Sequence, residues 1–391
     1  MALQSGTILT YSDATAQTTG VMKMDLEDVI DSQDPKDLPL KKFLGYSSFV
    51  AVNFNHEFAE ENHPPITAAI GTAATGWNTA DDITGLSVDD GDKFVLGDVC
   101  LTADGEIVIV SAVSTSANTI DVLARADCGS TQSNANTNAD AINLIGNAQL
   151  ESYTPGSYMR FYDRVRKNNY CQEFNEDIIV SDRMQETAQY GIPDEYARQL
   201  DKKTLRQAKF LEQAVLYGGA QVGSSTNPST MQGIIGPGTT STNINIQTNV
   251  TNAASAALTE DTLQDAMQTV YTAGGDPNTV MGGAFQCRQI DTFMQPYRRD
   301  TMEAETYGGV VSRYHSRFGN LAVVMNRYMQ ADDLVIFDKA QVKIGNFRNK
   351  SFAHYKLPKT TTAERGYING SYTVMLHDEE WAAWVHTLST S

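Results

Sequence analysis

Apolar residues recur along this chain with two different spacings, and each spacing predicts a different kind of element. From Val50 to Phe58, mostly apolar residues occupy every second position, which is typical of a strand with one polar face. From Asp194 to Tyr217, apolar residues lie three or four positions apart, which predicts one helix about 36 Å long. Pro193 precedes this helix and Gly218 follows it, as expected at helix ends.

The other periodic segments predict a mixed fold of the α+β class. Helices are expected over 21–30, 260–272 and 284–294, and the first of them follows a polar segment without periodicity over 1–20. Asp104-Gly105 and Gly319-Asn320 are expected to form hairpin turns, because such pairs favour tight turns between strands. Further strands are expected over 99–102, 106–113, 119–125, 159–165, 170–180, 310–318, 321–329, 334–337, 341–347 and 367–376.

A change in composition separates residues 65–150 from the rest of the chain. This segment has eleven acidic and only two basic residues, so its net charge of −9 is half of the chain's net charge of −18. Small and polar residues dominate at its borders, over Thr67–Thr79 and Ser130–Asn138, and we interpret both stretches as linkers. We therefore expect an inserted all-β module over 65–150. The alternative is one continuous domain with a polar loop.

Length and charge limit the classes of function. A chain of 391 residues is long enough for two or three domains. Its negative charge argues against a general nucleic-acid binder and against docking on anionic lipid. No apolar run approaches the roughly 18 residues of a membrane helix. The four cysteines are far apart, which indicates free thiols in a reducing compartment: Cys100, Cys128, Cys171 and Cys287.

Three short motifs resemble catalytic or binding sites, but each lacks something that its chemistry requires. His56–Glu60 has a glutamate where a zinc-binding helix needs a second histidine, and it lies on a predicted strand. Asp89–Asp92 lacks the distal glutamate of a calcium loop, and Gly233–Gly238 lacks the lysine of a phosphate-binding loop. We therefore predict no catalytic, cofactor-binding or metal site, and a protein whose product is its own assembly.

Candidate contact residues fall into three groups. Arg198, Lys202 and Arg206 follow one face of the long helix, where acidic groups of neighbouring subunits could meet them; nucleic acid is the alternative partner. Arg313, His315 and Arg317 alternate on a predicted strand, which suits an anionic partner or solvent. The third group belongs to the strand over 50–58 and consists of Val50, Val52, Phe54, Asn55 and Glu57.

Several local motifs after residue 165 carry a resemblance to a known family: Asn168–Phe174 with Ile179–Ser181, Tyr190–Glu195 with Glu212–Gly219, Met231–Ile234, Val311–Tyr314 with Phe318-Gly319, Asn326–Met329, and Leu357–Thr360. With the order of elements, they resemble the major capsid proteins of tailed bacteriophages, which have the Hong Kong 97-type capsid fold. More narrowly, the chain looks like the branch of podoviruses with elongated heads that infect Salmonella and Escherichia. Within 65–150, the segments Gly97–Val99, Leu123–Arg125 and Gly129–Thr131 are similar to the β-insertion of that branch.

The resemblance implies a division of the chain into functional parts. These are an N-terminal arm over 1–40, extended-loop strands over 41–64 and 151–170, the all-β insertion domain over 65–150, a peripheral domain with a spine helix over 171–230, an axial domain over 231–345, and the C-terminal part of the peripheral domain over 346–391. It implies pentamers and hexamers that form an icosahedral or elongated head around packaged DNA, without sequence-specific DNA binding. Portal and scaffolding proteins are implied partners, a decoration protein is a further candidate, and the virion would assemble in the bacterial cytoplasm.

Two other classes of function stay open from the sequence. One is a surface or tail module that binds a ligand or glycan through the β-insertion. The other is an unrecognised hydrolase that uses scattered aspartate and histidine residues, which would require carboxylates brought together in a pocket.

Overall fold

The structure is a computed structural model. It describes residues 35–61, 66–72, 83–103, 105–123, 140–148, 151, 164–187, 192–238, 243–293 and 313–390. The chain separates into two compact units: a main unit, Met1–Phe58 with Lys167–Ser391, and an inserted unit, Ala59–Arg166. The predicted helix over 21–30, the linker over 130–138 and most of the predicted arm over 1–40 lie outside the described residues.

The main unit contains five α-helices among its described residues. They are α1 (Pro39–Phe43), α2 (Asp182–Glu186), α3 (Glu195–Tyr217), α4 (Glu260–Thr272) and α5 (Ala284–Phe293). Its strands are β1 (Phe49–Ala51), β10 (Gln172–Ser181), β11 (Val250–Asn252), β12 (Thr279–Gly282), β13 (Arg313–Ser316), β14 (Gly319–Met325), β15 (Leu334–Phe337), β16 (Val342–Phe347), β17 (Ala353–Lys356), β18 (Ala363–Leu376) and β19 (Ala383–His386). Two strands run from the main unit into the inserted unit and pair with each other, β2 (Asn55–Glu61) and β9 (Arg164–Tyr170).

The inserted unit is a closed β-barrel. Its strands are β3 (Thr67–Thr72), β4 (Ile83–Val88), β5 (Asp98–Thr102), β6 (Ile107–Ser114), β7 (Thr119–Leu123) and β8 (Ala141–Asn147), arranged in the order β3-β4-β7-β6-β5-β8. Alternate residues fill the interior, as in β6, where Val108 and Val110 are buried. The interpretation of Thr67–Thr79 as a linker is wrong for Thr67–Thr72, because Ala68 and Ile70 face this interior and make the segment a barrel strand.

A five-stranded sheet carries the long helix α3. The sheet order is β1-β16-β18-β10, and β17 also pairs with β18. The carboxylate of Asp194 accepts hydrogen bonds from the backbone N–H groups of Tyr196 and Ala197, at 2.9 and 3.2 Å, and so caps the start of α3. The helix ends at Gly218, where a Cβ atom would lie 2.5 Å from the carbonyl oxygen of Met231, so only glycine fits. The predicted helix is confirmed almost to the residue.

A six-stranded sheet forms the second part of the main unit, in the order β11-β19-β15-β12-β14-β13. Helix α4 covers one face of this sheet, where Leu263, Met267 and Val270 join the same buried cluster as Val280 and Ile336. The Thr259 side chain caps α4 by accepting a hydrogen bond from the N–H of Thr262 at 3.2 Å. The helix predicted over 260–272 is therefore confirmed with both of its ends.

The single strand predicted over 50–58 is wrong. The structure has two strands there, β1 and β2, and residues 52–54 between them belong to neither. β1 pairs in parallel with β16, with Phe49 beside Gly345, whereas β2 pairs with β9. In the sequence, apolar and polar residues continue to alternate through residues 52–54, but β1 and β2 belong to different sheets.

Two details of the C-terminal part also differ from the sequence interpretation. The expected boundary between residues 345 and 346 falls inside β16, which is a continuous strand of the five-stranded sheet. After it, β19 returns to the six-stranded sheet and pairs with β15 and β11, so 346–391 contributes to both sheets. The turn expected at Gly319-Asn320 lies instead at residues 317–318, because Gly319 already pairs with Ser316.

Candidate assembly surfaces

An exposed apolar stripe lies at the junction of β1 and β2. The side chains of Val50, Val52 and Phe54 are 43%, 71% and 49% exposed. Phe54 stacks on Tyr170, with ring centroids 6.2 Å apart, and still leaves half of its surface accessible. Among the described residues, β1 is also an outermost strand of its sheet. Exposed apolar side chains beside a strand edge are typical of a surface that another chain covers.

The polar residues predicted beside this stripe bond to each other. The Asn55 side-chain amide donates to the Glu57 carboxylate at 3.0 Å, and the Asn168 side-chain amide donates to the side-chain oxygen Oδ1 of Asn55 at 3.3 Å. These contacts join the start of β2 to β9 within one chain. The three apolar residues, and not Asn55, therefore present the surface available to a partner.

Two histidines pack around Phe58 of β2, near the junction of β1 and β2. The His56 ring stacks on Phe49 at 4.8 Å, and the His377 ring meets the edge of Phe58 at 5.0 Å. Burial lowers the pKa of His56, and the nearby His377 lowers it further. Burial also lowers the pKa of His377, followed by the charge of Lys343, while Asp378 opposes this shift. This junction is therefore stable with both rings neutral.

Of the three basic residues predicted on one face of α3, Arg198 and Arg206 pair with acidic residues of the same chain. Both guanidinium nitrogens of Arg198 that face Glu195 donate to its carboxylate, at 2.8 and 2.9 Å. This hydrogen bonding raises the pKa of Arg198 and lowers the pKa of Glu195. Arg206 lies 3.6 Å from Glu176 of β10, and Lys202 is exposed. Glu176 was not identified from the sequence, although the alternation of β10 places it on the face towards α3.

Glu212 lies on the buried face of α3 and not among the basic residues. It is fully buried, and its carboxylate accepts hydrogen bonds from the backbone N–H of Lys41 and the hydroxyl of Tyr46, both at 3.1 Å. Burial raises the pKa of Glu212, and burial together with this carboxylate raises the pKa of Tyr46. The sequence feature that indicates the burial of Glu212 is its position next to Leu211, in the middle of the apolar face of the helix.

A second buried carboxylate joins α3 to the six-stranded sheet. Asp333 accepts hydrogen bonds from the Tyr217 hydroxyl at 2.8 Å and from the Trp384 indole N–H at 3.1 Å. Burial raises the pKa of Asp333. Trp384 packs against the core and is also a hydrogen-bond donor.

The predicted group of Arg313, His315 and Arg317 lies at one edge of the six-stranded sheet. Arg313 and His315 are exposed on one face of β13, and Tyr314 between them is buried on the other face. The His315 ring and the Asn320 side chain are hydrogen-bonded at 2.7 Å. Arg317 is exposed in the turn and not on the strand. The structure therefore keeps these three residues together at one sheet edge and keeps the basic group on α3, whereas the group from Val50 to Glu57 is divided between β1, β2 and the residues that join them.

The described residues show no arrangement for metal chemistry. They contain no group of three or more His, Cys, Asp or Glu side chains placed to hold a metal ion.

None of the described helices combines the length and apolar character that a membrane crossing requires. Three of the four cysteines, Cys100, Cys171 and Cys287, are buried and form no disulfide bond among the described residues, whereas Cys128 lies outside those residues.

Solved structures identify the fold. The capsid of the native GTA particle is 10% identical, covers 96% of this chain and 99% of its own, and superposes with a TM-score of 0.52. The capsid of the empty GTA particle has the same identity and coverage, with a TM-score of 0.50. A structure from Mycobacterium phage Bobi is 10% identical, covers 98% of this chain and 100% of its own, and has a TM-score of 0.48. A comparison with curated protein sequences found no match. The chain has the Hong Kong 97-like capsid fold.

The sequence itself identifies the family. Residues 8–389 match the family described as SU10 major capsid protein. This match supports a structural role in a capsid shell, which is not an enzymatic one, and nothing supports the alternative of a ligand-binding module. The chain belongs to the SU10 major capsid protein family.

Proposed function

We propose that copies of this chain associate into pentamers and hexamers that form the head shell of a tailed phage around packaged DNA. The observation that carries this proposal is the exposed apolar stripe of Val50, Val52 and Phe54 beside a strand edge. A single copy leaves this surface in water, whereas a neighbouring copy would cover it. The family match supports a shell; the numbers of copies per ring are our proposal.

The domain roles extend the same proposal. In this proposal, the five-stranded sheet with α3 is the peripheral part and the six-stranded sheet with α4 is the axial part. The chain passes from one sheet to the other between β15 and β16 and again between β18 and β19. The β2–β9 pair takes the role of the extended loop, and the barrel of the inserted unit takes the role of an insertion domain. Residues 1–40 would be the arm.

The charge of the chain is consistent with a container for DNA. Its net charge of −18 repels phosphates and keeps the inner surface from adhering to the packaged strand. Because one chain alone does not set the size of a head, we propose a scaffolding protein and a portal protein as partners, with a decoration protein as a third candidate. Assembly would take place in the bacterial cytoplasm.

Sedimentation tests the proposal. The purified full chain, alone and with the proposed scaffolding protein, is centrifuged through a sucrose gradient, and the fast fractions are inspected by negative-stain microscopy. Shells, tubes or rings of five and six copies are expected. A compact monomer under both conditions would contradict the proposal.

A further inference from the structure

Two surfaces of opposite charge lie on opposite sides of the six-stranded sheet. Side chains of a strand point alternately to its two faces, so Arg313 and His315 point away from the face that Tyr314 occupies. The Tyr314 hydroxyl donates to Glu260 of α4 at 2.8 Å and bonds to Gln264, which places α4 on the Tyr314 side. The basic residues therefore face away from α4.

Helix α4 presents an acidic outer surface. Its sequence contains no lysine or arginine, and Asp261 and Asp265 are exposed one turn apart. A shallow groove beside Asp265 is lined by Asn249, Gln268 and Thr269. We name Asp261 and Asp265 the acidic surface, and Arg313, His315 and Arg317 the basic surface.

Neither surface is neutralised within the described part of the chain. Arg313 and Arg317 form no ion pair there, and neither do Asp261 and Asp265, whereas Arg198 and Arg206 of α3 do. In addition, β13 is the last strand of its sheet among the described residues. The basic surface therefore adjoins a strand edge without a described partner.

We propose that the basic surface of one copy contacts the acidic surface of a second copy. Complementary patches on different sides of one subunit make a head-to-tail contact, and such contacts close into rings when the rotation between copies is right. The charges match, with two arginines facing two aspartates, and this complementarity selects the partner and its register. The excess negative charge of the chain favours a second copy over DNA as the occupant. This inference rests on the proposed self-assembly.

A charge exchange tests the contact. One variant carries Arg313→Glu and Arg317→Glu, a second carries Asp261→Arg and Asp265→Arg, and a third carries all four substitutions. The sedimentation assay should show a loss of particles of about tenfold or more in each double variant, because like charges then face each other. The fourfold variant should recover particles, since the pairs are restored with reversed sign.

A matched control separates this contact from a general effect of charge. Arg327→Glu with Lys350→Glu makes the same change in net charge at two exposed positions of the main unit outside both surfaces, and should assemble like the unchanged chain. Thermal unfolding of each variant reports its folding, and milder Arg313→Gln and Arg317→Gln variants should show a smaller loss in the same direction.

The outcomes distinguish the inference from the function on which it rests. If the unchanged chain forms particles and the arginine variant forms them equally well, the contact is wrong and the shell stands. The same holds if the fourfold variant shows no recovery, or if the arginine variant loses only DNA binding. If the unchanged chain forms no particles with or without scaffold, the proposed function fails and the inference fails with it.

Discussion

The carboxylate of Glu212 accepts a hydrogen bond from the backbone N–H of Lys41 at 3.1 Å, across 171 positions of sequence. Lys41 lies in the first turn of α1, and Leu38 at the start of that helix offers no side-chain cap. The first N–H groups of a helix lack partners within the helix. A buried residue of α3 therefore supplies the acceptor that α1 lacks and ties the segment before β1 to the long helix.

We expect Glu212→Ala to lower the free energy of unfolding by about 2 kcal/mol, because the Lys41 N–H and the Tyr46 hydroxyl lose their buried acceptor. Glu212→Gln keeps an acceptor oxygen and should cost less than about 1 kcal/mol. Urea unfolding at neutral pH measures both. Equal losses in the two variants would show that the acceptor is unimportant.

The histidine pair at the junction predicts a loss of stability in acid. Because burial lowers the pKa of His56 and of His377 in the folded chain, the unfolded chain binds more protons below about pH 6.5. The free energy of unfolding should therefore fall as the pH drops through this value towards the lowered pKa. His56→Gln should reduce that fall between about pH 7.5 and about pH 5.5.

Buried carboxylates do not produce the same effect. Burial raises the pKa values of Glu212, Asp333 and Glu379, so their contribution runs the other way: stability falls as the pH rises through the raised values. Comparing His56→Gln with the unchanged chain cancels these contributions. His315→Gln, at an exposed position on β13, is the control, and an equal change in slope for the two variants would refute the assignment to the junction.

Gly345 is a second point at which β1 depends on its partner strand. A Cβ atom added there would lie 2.6 Å from two atoms of the Phe49 ring. We expect Gly345→Ala to displace this ring from His56 and to cost about 1–3 kcal/mol of stability, as overpacking does. Adding Phe49→Ala removes the obstruction, so the double variant should lose less than the sum of the two single losses. Additive losses measured by urea unfolding would contradict this packing.

The apolar stripe predicts a variant that folds but does not assemble. Val52→Asp with Phe54→Asp changes two exposed side chains, so the stability of a single copy should change by only about 0.5 kcal/mol per site. The particle fraction in a sucrose gradient should fall sharply, because the variant would bury two charges between copies. Val222→Asp, at a 53% exposed position of the same unit, should leave the particle fraction unchanged. Normal assembly of the double variant would exclude the stripe as a contact.

Local signals predicted the longer helices well, although the short helices α1 and α2 were not predicted. The Asp194 and Thr259 caps and the glycines at the helix ends act within a few residues, so α3 and α4 could be placed from sequence. The capsid family was likewise identified from local motifs, and the family match confirms it.

Long-range pairing was not predictable in the same way. β3 has the composition of a linker and becomes a strand only because the barrel buries Ala68 and Ile70. The division between β1 and β2 depends on partners more than a hundred residues away, and β19 joins a sheet whose other strands precede it. Glu176 and Glu212 acquired their roles in the same way, through elements that the fold brings to α3.

A cryo-electron microscopy reconstruction of particles assembled from the full chain tests the central claim most directly. The account predicts a closed shell built from rings of five and six copies, in which a neighbouring copy covers Val52 and Phe54. Particles that leave these side chains in solvent, or a chain that remains a compact monomer at high concentration with its scaffold, would contradict it.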